Sequence, residues 1–219
     1  MVGIFDSGLG GAYSLFEFRK MCPSVPVCFF GDKSNAPYGT KDESELVLLV
    51  GRGIRELMNM GASRVLLACC TASTVHHLLP DELSNYSIPI IDPIAEEAVR
   101  VTRSGSIGVI STAATARSGA FAKSIERLLP GAQVTSVAAP ELVTLAELGK
   151  FGERMDGKAR KIIENAISPL ACSGIDTLIL GCTHFSYFER EIEDIMRLPV
   201  INSAREGAGA LLRHIERGV

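Results

Sequence analysis

The sequence predicts an α/β protein: two similar three-layer α/β domains with mainly parallel sheets and an active site in the cleft between them. Two observations carry this. First, short apolar runs of β type alternate with helical patterns along the whole chain, the arrangement that gives parallel sheets and right-handed crossovers. Second, two of those runs, RVLLA at 64–68 and TLILG at 177–181, stop abruptly at a cysteine, Cys69 and Cys182. Small hydroxylated residues and a helical pattern follow each one. Both thiols are therefore expected at the C-terminal ends of parallel strands, the edge where open α/β sheets bind ligands. Helix N-termini nearby favour thiolate over thiol. Cys69 and Cys182 are expected to face each other across one small pocket.

Taken in order, VGIF at 2–5 is a strand that runs into the glycine-rich turn DSGLGG and a helix from Tyr13 to about Met21. The turn spacing matches neither the Walker pattern nor GxGxxG, so a nucleotide is not expected; the glycines can instead let backbone amides approach a small anion. Asp6 and Ser7 stand at the strand's end, where Asp6 could serve the site or simply form the turn. VCFFGD at 27–32 is a second strand ending in Asp32. The loop KSNAPYG follows, stiffened at Pro37 and permissive at Gly39, and able to hold amides and the Tyr38 hydroxyl over a pocket. Thr40 to Glu43 read as a capping box opening a long helix whose buried stripe is Leu46, Leu49, Val50, Ile54, Leu57 and Met58, with Gly61 as its C′ residue.

After Cys69, the residues Thr71, Ser73 and Thr74 open a short helix that stops near Pro80. His76 and His77 on it read as surface or packing residues. Residues 89–99 supply a strand and the start of a helix, with Asp92-Pro93 as a crossover between halves. The second half repeats the plan. Strand 106–112 ends in hydroxyls, and Thr115 opens a helix running to about Leu129. Strand 133–139 leads to Pro140 and a short helix bearing Glu141 and Glu147. A helix from about Met155 to Ala171 is expected to bend near Pro169. Strand 176–181 delivers Cys182, Thr183 and His184. A short strand at 200–202 and a closing helix from Ala204 to Arg217 finish the chain. The expected domains are residues 1–93 with 203–219, carrying Cys69, and residues 94–202, carrying Cys182.

Composition narrows the function. The chain has 219 residues, 47% hydrophobic and 21% charged, with a net charge of −3. This is an ordinary enzyme-like balance with no basic surplus for nucleic acid. No apolar run reaches the roughly 18–20 residues that span a membrane. The first residues lack a signal peptide's basic region and apolar core, so a cytoplasmic location is expected. None of the six cysteines has CxxC or Cys/His zinc spacing, so free thiols and no metal are expected. Cys22, Cys28 and Cys172 read as small hydrophobes.

Four chemistries suit two thiols in one pocket: a disulfide switch, a metal site, a Cys-His hydrolase built on Cys182 and His184, or a pair of acid/base thiols on opposite faces of one carbon. The last uses every motif. One thiolate removes a proton from one face and the other thiol returns one to the opposite face. Asp6 or Asp32 near Cys69, and His184 near Cys182, are candidate partners. Strand-end hydroxyls and amides would grip substrate carboxylates and stabilise enolate-like charge. No pyridoxal-lysine or flavin motif is visible, so a reaction without cofactor is preferred.

The blocks GIFDSGLGG, FFGDKSNAPYGT, LACCTAST, IGVISTAATARSGAF and LGCTHF, in this order, closely resemble the glutamate racemase family within the aspartate/glutamate racemase superfamily. The resemblance covers about residues 3–203. It implies a cofactor-independent two-thiol isomerase that interconverts L- and D-glutamate and supplies D-glutamate for peptidoglycan. It further implies a small amino acid as substrate, no nucleic-acid or membrane partner, and a homodimer. Carried over, Cys69 resembles the base acting on D-glutamate and Cys182 the base acting on L-glutamate, with Asp6 and His184 as assistants. Ser7, Pro37, Tyr38, Gly39, Thr71 and Thr183 match substrate-contacting positions; Thr115 and Glu147 match less closely. This chain also departs from the pattern. Cys70, also placed at the substrate, stands where the family usually has Asn, and a thiol donates more weakly than an amide. It puts a second oxidisable thiol beside the base. Asn35 stands where Arg is frequent and Ala139 where Cys is common, and the chain is shorter than typical members. Aspartate or another carboxylate-bearing acid is the alternative substrate, and a non-catalytic amino-acid binding protein the alternative class.

Overall fold

The computed structural model describes residues 1–217. The last two residues of the expected 203–219 segment lie outside the described residues. In chain order the first half comprises β1 (Val2–Asp6), α1 (Ala12–Met21), β2 (Val27–Gly31), α2 (Glu43–Asn59), β3 (Val65–Leu67), α3 (Cys70–Ser73), α4 (Asp81–Ser84) and β4 (Ser87–Pro89). The second half comprises α5 (Ile91–Val101), β5 (Ser106–Ser111), α6 (Ala113–Ser118), α7 (Ala120–Leu128), β6 (Gln133–Ala138), α8 (Pro140–Glu147), α9 (Gly157–Ala171), β7 (Thr177–Gly181), α10 (Glu189–Met196), β8 (Val200–Asn202) and α11 (Ser203–Glu216).

The eight strands form two four-stranded parallel sheets with equivalent orders, β2-β1-β3-β4 and β6-β5-β7-β8. The α/β class with two similar parallel sheets is thus the one the sequence predicts. Strands β1, β3 and β7 are buried on both faces, as covered parallel sheets require, whereas edge strand β6 is part-exposed. That is why the inner strands read as unbroken apolar runs. Ile4, Leu66, Leu178 and Leu180 are fully buried, and each such side chain contributes about 1.5–3 kcal/mol over an exposed one. Helix α11 returns to the first sheet: Ala208 and Leu211 pack with Val2, Ile4, Phe18 and Leu66. Among the described residues, no helix is long and apolar enough to cross a membrane.

Several boundaries differ from expectation for identifiable reasons. Helix α2 is capped by Asp42, which accepts from the Glu45 amide at 2.8 Å; Thr40 lies in a preceding 3₁₀ turn. The helix expected between Thr71 and Pro80 breaks up, because the Thr74 hydroxyl donates to the Thr71 carbonyl at 2.7 Å and competes with helical pairing. Asp92 and Pro93 lie inside the first turn of α5 rather than in a crossover, a position where proline's missing donor costs nothing. The helix expected from Thr115 to Leu129 is two helices, divided at Gly119, whose φ of +63° is a glycine conformation. Its cap is Thr112, which accepts from the Thr115 amide at 3.3 Å.

Candidate active site

Equivalent sheet orders put equivalent strand ends together. The pairing Phe5↔Leu67, continued by two residues, sets Ser7 beside Cys69 at the tips of β1 and β3. The pairing Ser111↔Gly181, continued by one, sets Thr112 beside Cys182 at the tips of β5 and β7. Between the two pairs lies a cavity of about 560 Å³, with Cys69 and Cys182 both on its wall. The remaining expected site residues line it too, except Asp6, Asp32 and Thr115, which are buried outside its wall.

Cys69 is 6% exposed and its thiol donates to Ser7 Oγ at 3.4 Å. Burial, reinforced by the negative charge of Asp6, pushes the thiol from 9.0 up to about 11. The Ser7 hydroxyl, which can turn to donate once the sulfur is ionised, and the amides of Ala72 and Ser7 oppose that rise. Cys182 is 7% exposed and burial pushes its thiol well above the ordinary range, with charge on Cys69 adding to the rise. A negative charge on either sulfur therefore disfavours a second one on the other.

Cys182 stands beside a histidine ring. His184 Nδ1 lies 3.8 Å from its sulfur, and His184 Nε2 lies 2.6 Å from Glu147 Oε1. A carboxylate only accepts, so Nε2 carries a hydrogen, and in the neutral ring Nδ1 is then the acceptor that faces the thiol. Glu147 ends α8 and is half-exposed. Cys182, His184 and Glu147 all line the cavity and are joined in series by these two contacts.

Asp6 bridges the two halves. Fully buried, it accepts from the Gly8 amide at 2.9 Å and from the Thr183 hydroxyl at 3.1 Å. Burial raises its carboxyl above the usual range, and the charge of His184 works in the opposite direction. The turn after Asp6 approaches the second half so closely that a Cβ on Gly10 would lie 2.5 Å from Thr183 Oγ1 and 2.9 Å from His184 Nδ1. Only glycine fits there.

Asp32 is not a partner of Cys69. It is 4% exposed and accepts from Tyr38 Oη at 2.8 Å, from Asn35 Nδ2 at 2.8 Å and from Arg52 at 3.1 Å. It anchors the 33–39 loop, and the Tyr38 hydroxyl points at Asp32 while its ring forms the wall. Burial and this carboxylate push the Tyr38 phenol far above its usual range. Thr115 is likewise taken up: Thr71, Thr112 and Thr115 close a triangle of hydroxyls at 2.9, 3.0 and 3.0 Å across the two halves. Cys70, 1% exposed, touches the cavity but packs among Ile90, Ile91 and Ile201 on its other side. Burial pushes its thiol well above the ordinary range, and a contact with Ser203 pulls the other way.

Several lining residues were not singled out from the sequence, and Thr112 and Lys33 are the polar ones of most consequence. Thr112 had a signal, being the last hydroxyl of its strand. Lys33, the one Lys or Arg on the cavity wall among the described residues, had none beyond lying in the loop before Pro37. All six cysteines are free, and among the described residues no group of three or more His, Cys, Asp or Glu side chains is arranged to hold a metal ion.

Comparison with known proteins agrees with this geometry. A family model described as Asp/Glu/Hydantoin racemase matches residues 18–211. A glutamate racemase of Desulforudis audaxviator is 40% identical over 201 residues, covering 91% of this chain and 72% of that protein. One from Gloeobacter violaceus is 38% identical, covering 96% of this chain and 80% of its own. The crystal structure of a glutamate racemase isoform from Bacillus anthracis matches with a TM-score of 0.92 at 31% identity, over 100% of this chain and 82% of that one. That of the Thermus thermophilus glutamate racemase in complex with β-chloro-D-alanine matches with a TM-score of 0.85 at 29% identity, over 99% and 80%. Motifs, paired sheets and similarity over nearly the whole chain agree, and the chain belongs to the Asp/Glu/hydantoin racemase family and, within it, to the glutamate racemases.

Proposed function

We propose that this chain interconverts L- and D-glutamate by two-base proton transfer between Cys69 and Cys182, without a cofactor, and so supplies D-glutamate for peptidoglycan. The observation that carries the reading is the pair of buried thiols lining one cavity, each with its own hydrogen-bond partner, Ser7 for Cys69 and His184 for Cys182. In the L-to-D direction Cys182 gives its proton to His184 Nδ1 and, as thiolate, takes the α-proton of L-glutamate. Cys69 then donates its own proton to the opposite face of the planar carbanion. In the reverse direction the Cys69 thiolate left by this step takes the α-proton of D-glutamate, and the Cys182 thiol returns its proton to the opposite face. Mutual disfavour of two thiolates keeps one sulfur as acid while the other is base. The hydroxyls of Ser7 and Thr71 supply donors for the charge that builds on the α-carboxylate. Lys33 supplies a positive charge for a substrate that carries a net negative one.

The domains that would close on the substrate are residues 1–93 with 203–219 and residues 94–202; the packing of α11 on the first sheet supports this division. The reading also takes the protein as cytoplasmic and a homodimer.

One observation favours a second reading. The line Cys182–His184–Glu147 by itself is the layout of a thiol hydrolase. That reading leaves Cys69 without a role. The test is to incubate the purified protein, with no cofactor added, with L-glutamate, L-aspartate and L-alanine in turn and to follow optical rotation. Loss of rotation with glutamate alone is expected. Rotation lost only with aspartate would move the substrate, and none lost with any would remove the racemase reading.

A further inference from the structure

The Glu147–His184 contact needs support that neither residue supplies. Glu147 is 49% exposed at the end of α8, and an ion pair so open to water adds little by itself. Yet its position decides which ring nitrogen of His184 carries the hydrogen. A second contact between the same two segments lies beside it. His184 and Tyr187 are three residues apart in the 3₁₀ turn Thr183–Phe188, and with three residues per turn they share one side. On the other segment the chain turns back after Glu147 through Gly149, at φ +66°, and Gly152, at φ +56°. This brings Phe151 flat onto Tyr187, with ring centres 4.2 Å apart and planes within 17°. The two segments are therefore joined by two rungs, one polar and one aromatic. Tyr187 also meets the first half of the chain: Tyr13 of α1 presents its ring at 5.6 Å and 87°, edge against face. Aromatic pairs favour edge-on contacts of this kind. Helix α1 follows directly on the turn whose Gly10 abuts His184.

We propose that the Phe151–Tyr187 stack, braced by Tyr13, is a positioning element that holds Glu147 on His184 and so keeps Nδ1 of His184 ready for the Cys182 proton. Phe151 and Tyr187 touch no reacting atom; they act through Glu147. The inference rests on the role given to His184 above, and it has a readout that does not need activity.

The test compares Phe151→Ala, Phe151→Leu and Phe151→Tyr with Glu147→Gln, and with Phe151→Ala combined with Glu147→Gln, in the full chain. At fixed pH the ¹⁵N signals of the His184 ring report its hydrogen bond to the carboxylate. Phe151→Ala and Phe151→Leu are expected to move these signals the way Glu147→Gln does, and Phe151→Tyr is expected to leave them in place. In kinetics, Phe151→Ala is expected to lower kcat/KM for glutamate about tenfold, and by less than about twofold when Glu147→Gln is already present, because residues acting through one partner are not additive. Phe151→Leu keeps an apolar side chain and gives the same comparison should the alanine variant fold poorly. Unmoved His184 signals in both the alanine and leucine variants would overturn the inference, as would a second full tenfold loss in the double variant. If the wild-type protein racemises nothing, the functional reading fails while the ¹⁵N comparison still decides this one.

Discussion

The hydroxyl of Thr183, at the tip of β7, donates to the buried carboxylate of Asp6, at the tip of β1, across 3.1 Å. This bond joins the two halves of the chain directly behind the cavity wall. Thr183→Val keeps the shape and removes the donor. It leaves a carboxylate oxygen buried without that partner, at a cost of about 1–3 kcal/mol. The melting temperature is expected to fall, and racemisation with it. A variant with wild-type stability and turnover would show that the bond does not matter.

The raised thiols make stability depend on pH with a definite sign. A group whose value is higher folded than unfolded contributes stability that is complete below the unfolded value and lost as pH rises through the folded one. For Cys69 that window runs from 9.0 to about 11. Cys70 and Cys182 are shifted in the same direction. Ionising Cys69 alone removes roughly 2–3 kcal/mol, at about 1.4 kcal/mol per unit. Melting temperatures measured between pH 8 and 11 should fall steeply for the wild-type protein and less steeply for Cys69→Ser. Parallel curves would contradict this assignment.

Cys70 reaches the cavity with a weak donor where the family usually has an amide. Cys70→Asn is expected to keep or raise kcat/KM for glutamate. A large loss, with aspartate or another acid turned over better by the wild-type protein, would show that Cys70 serves a different substrate.

Lys33 has no acidic partner among the described ion pairs and faces the cavity. Lys33→Gln should raise KM for glutamate about three- to tenfold with kcat little changed, and should flatten the fall of kcat/KM with added salt, as loss of one steering charge does. Lys33→Arg should restore both. An unchanged salt dependence would remove this role.

The strands and their cysteine tips were legible because buried parallel strands are apolar throughout, so RVLLA and TLILG end visibly at Cys69 and Cys182. The bond between Cys69 and Ser7 was not, because it follows from the β1–β3 register, which joins segments 62 residues apart. Asp32 looked like a proton partner because it ends a strand, as Asp6 does. Its true partners include Arg52 from α2, and no local pattern reveals that pairing. Thr115 was expected to open α6, but its cap is Thr112, because that depends on where β5 stops. The Glu147–His184 contact spans 37 residues, and only the family resemblance hinted at it. The aromatic stack beneath it joins a loop to a 3₁₀ turn, and neither has a period to read.

The central claim is that two thiols divide the work between two faces of one carbon. The most direct test starts the reaction with L-glutamate in D₂O and reads the deuterium content of each enantiomer before equilibrium is approached. Two bases predict deuterium in the D-glutamate formed and almost none in the remaining L-glutamate, with Cys69→Ser and Cys182→Ser each cutting racemisation at least a thousandfold. Early product that retains the original hydrogen, or a Cys69→Ser variant with full turnover, would contradict the account.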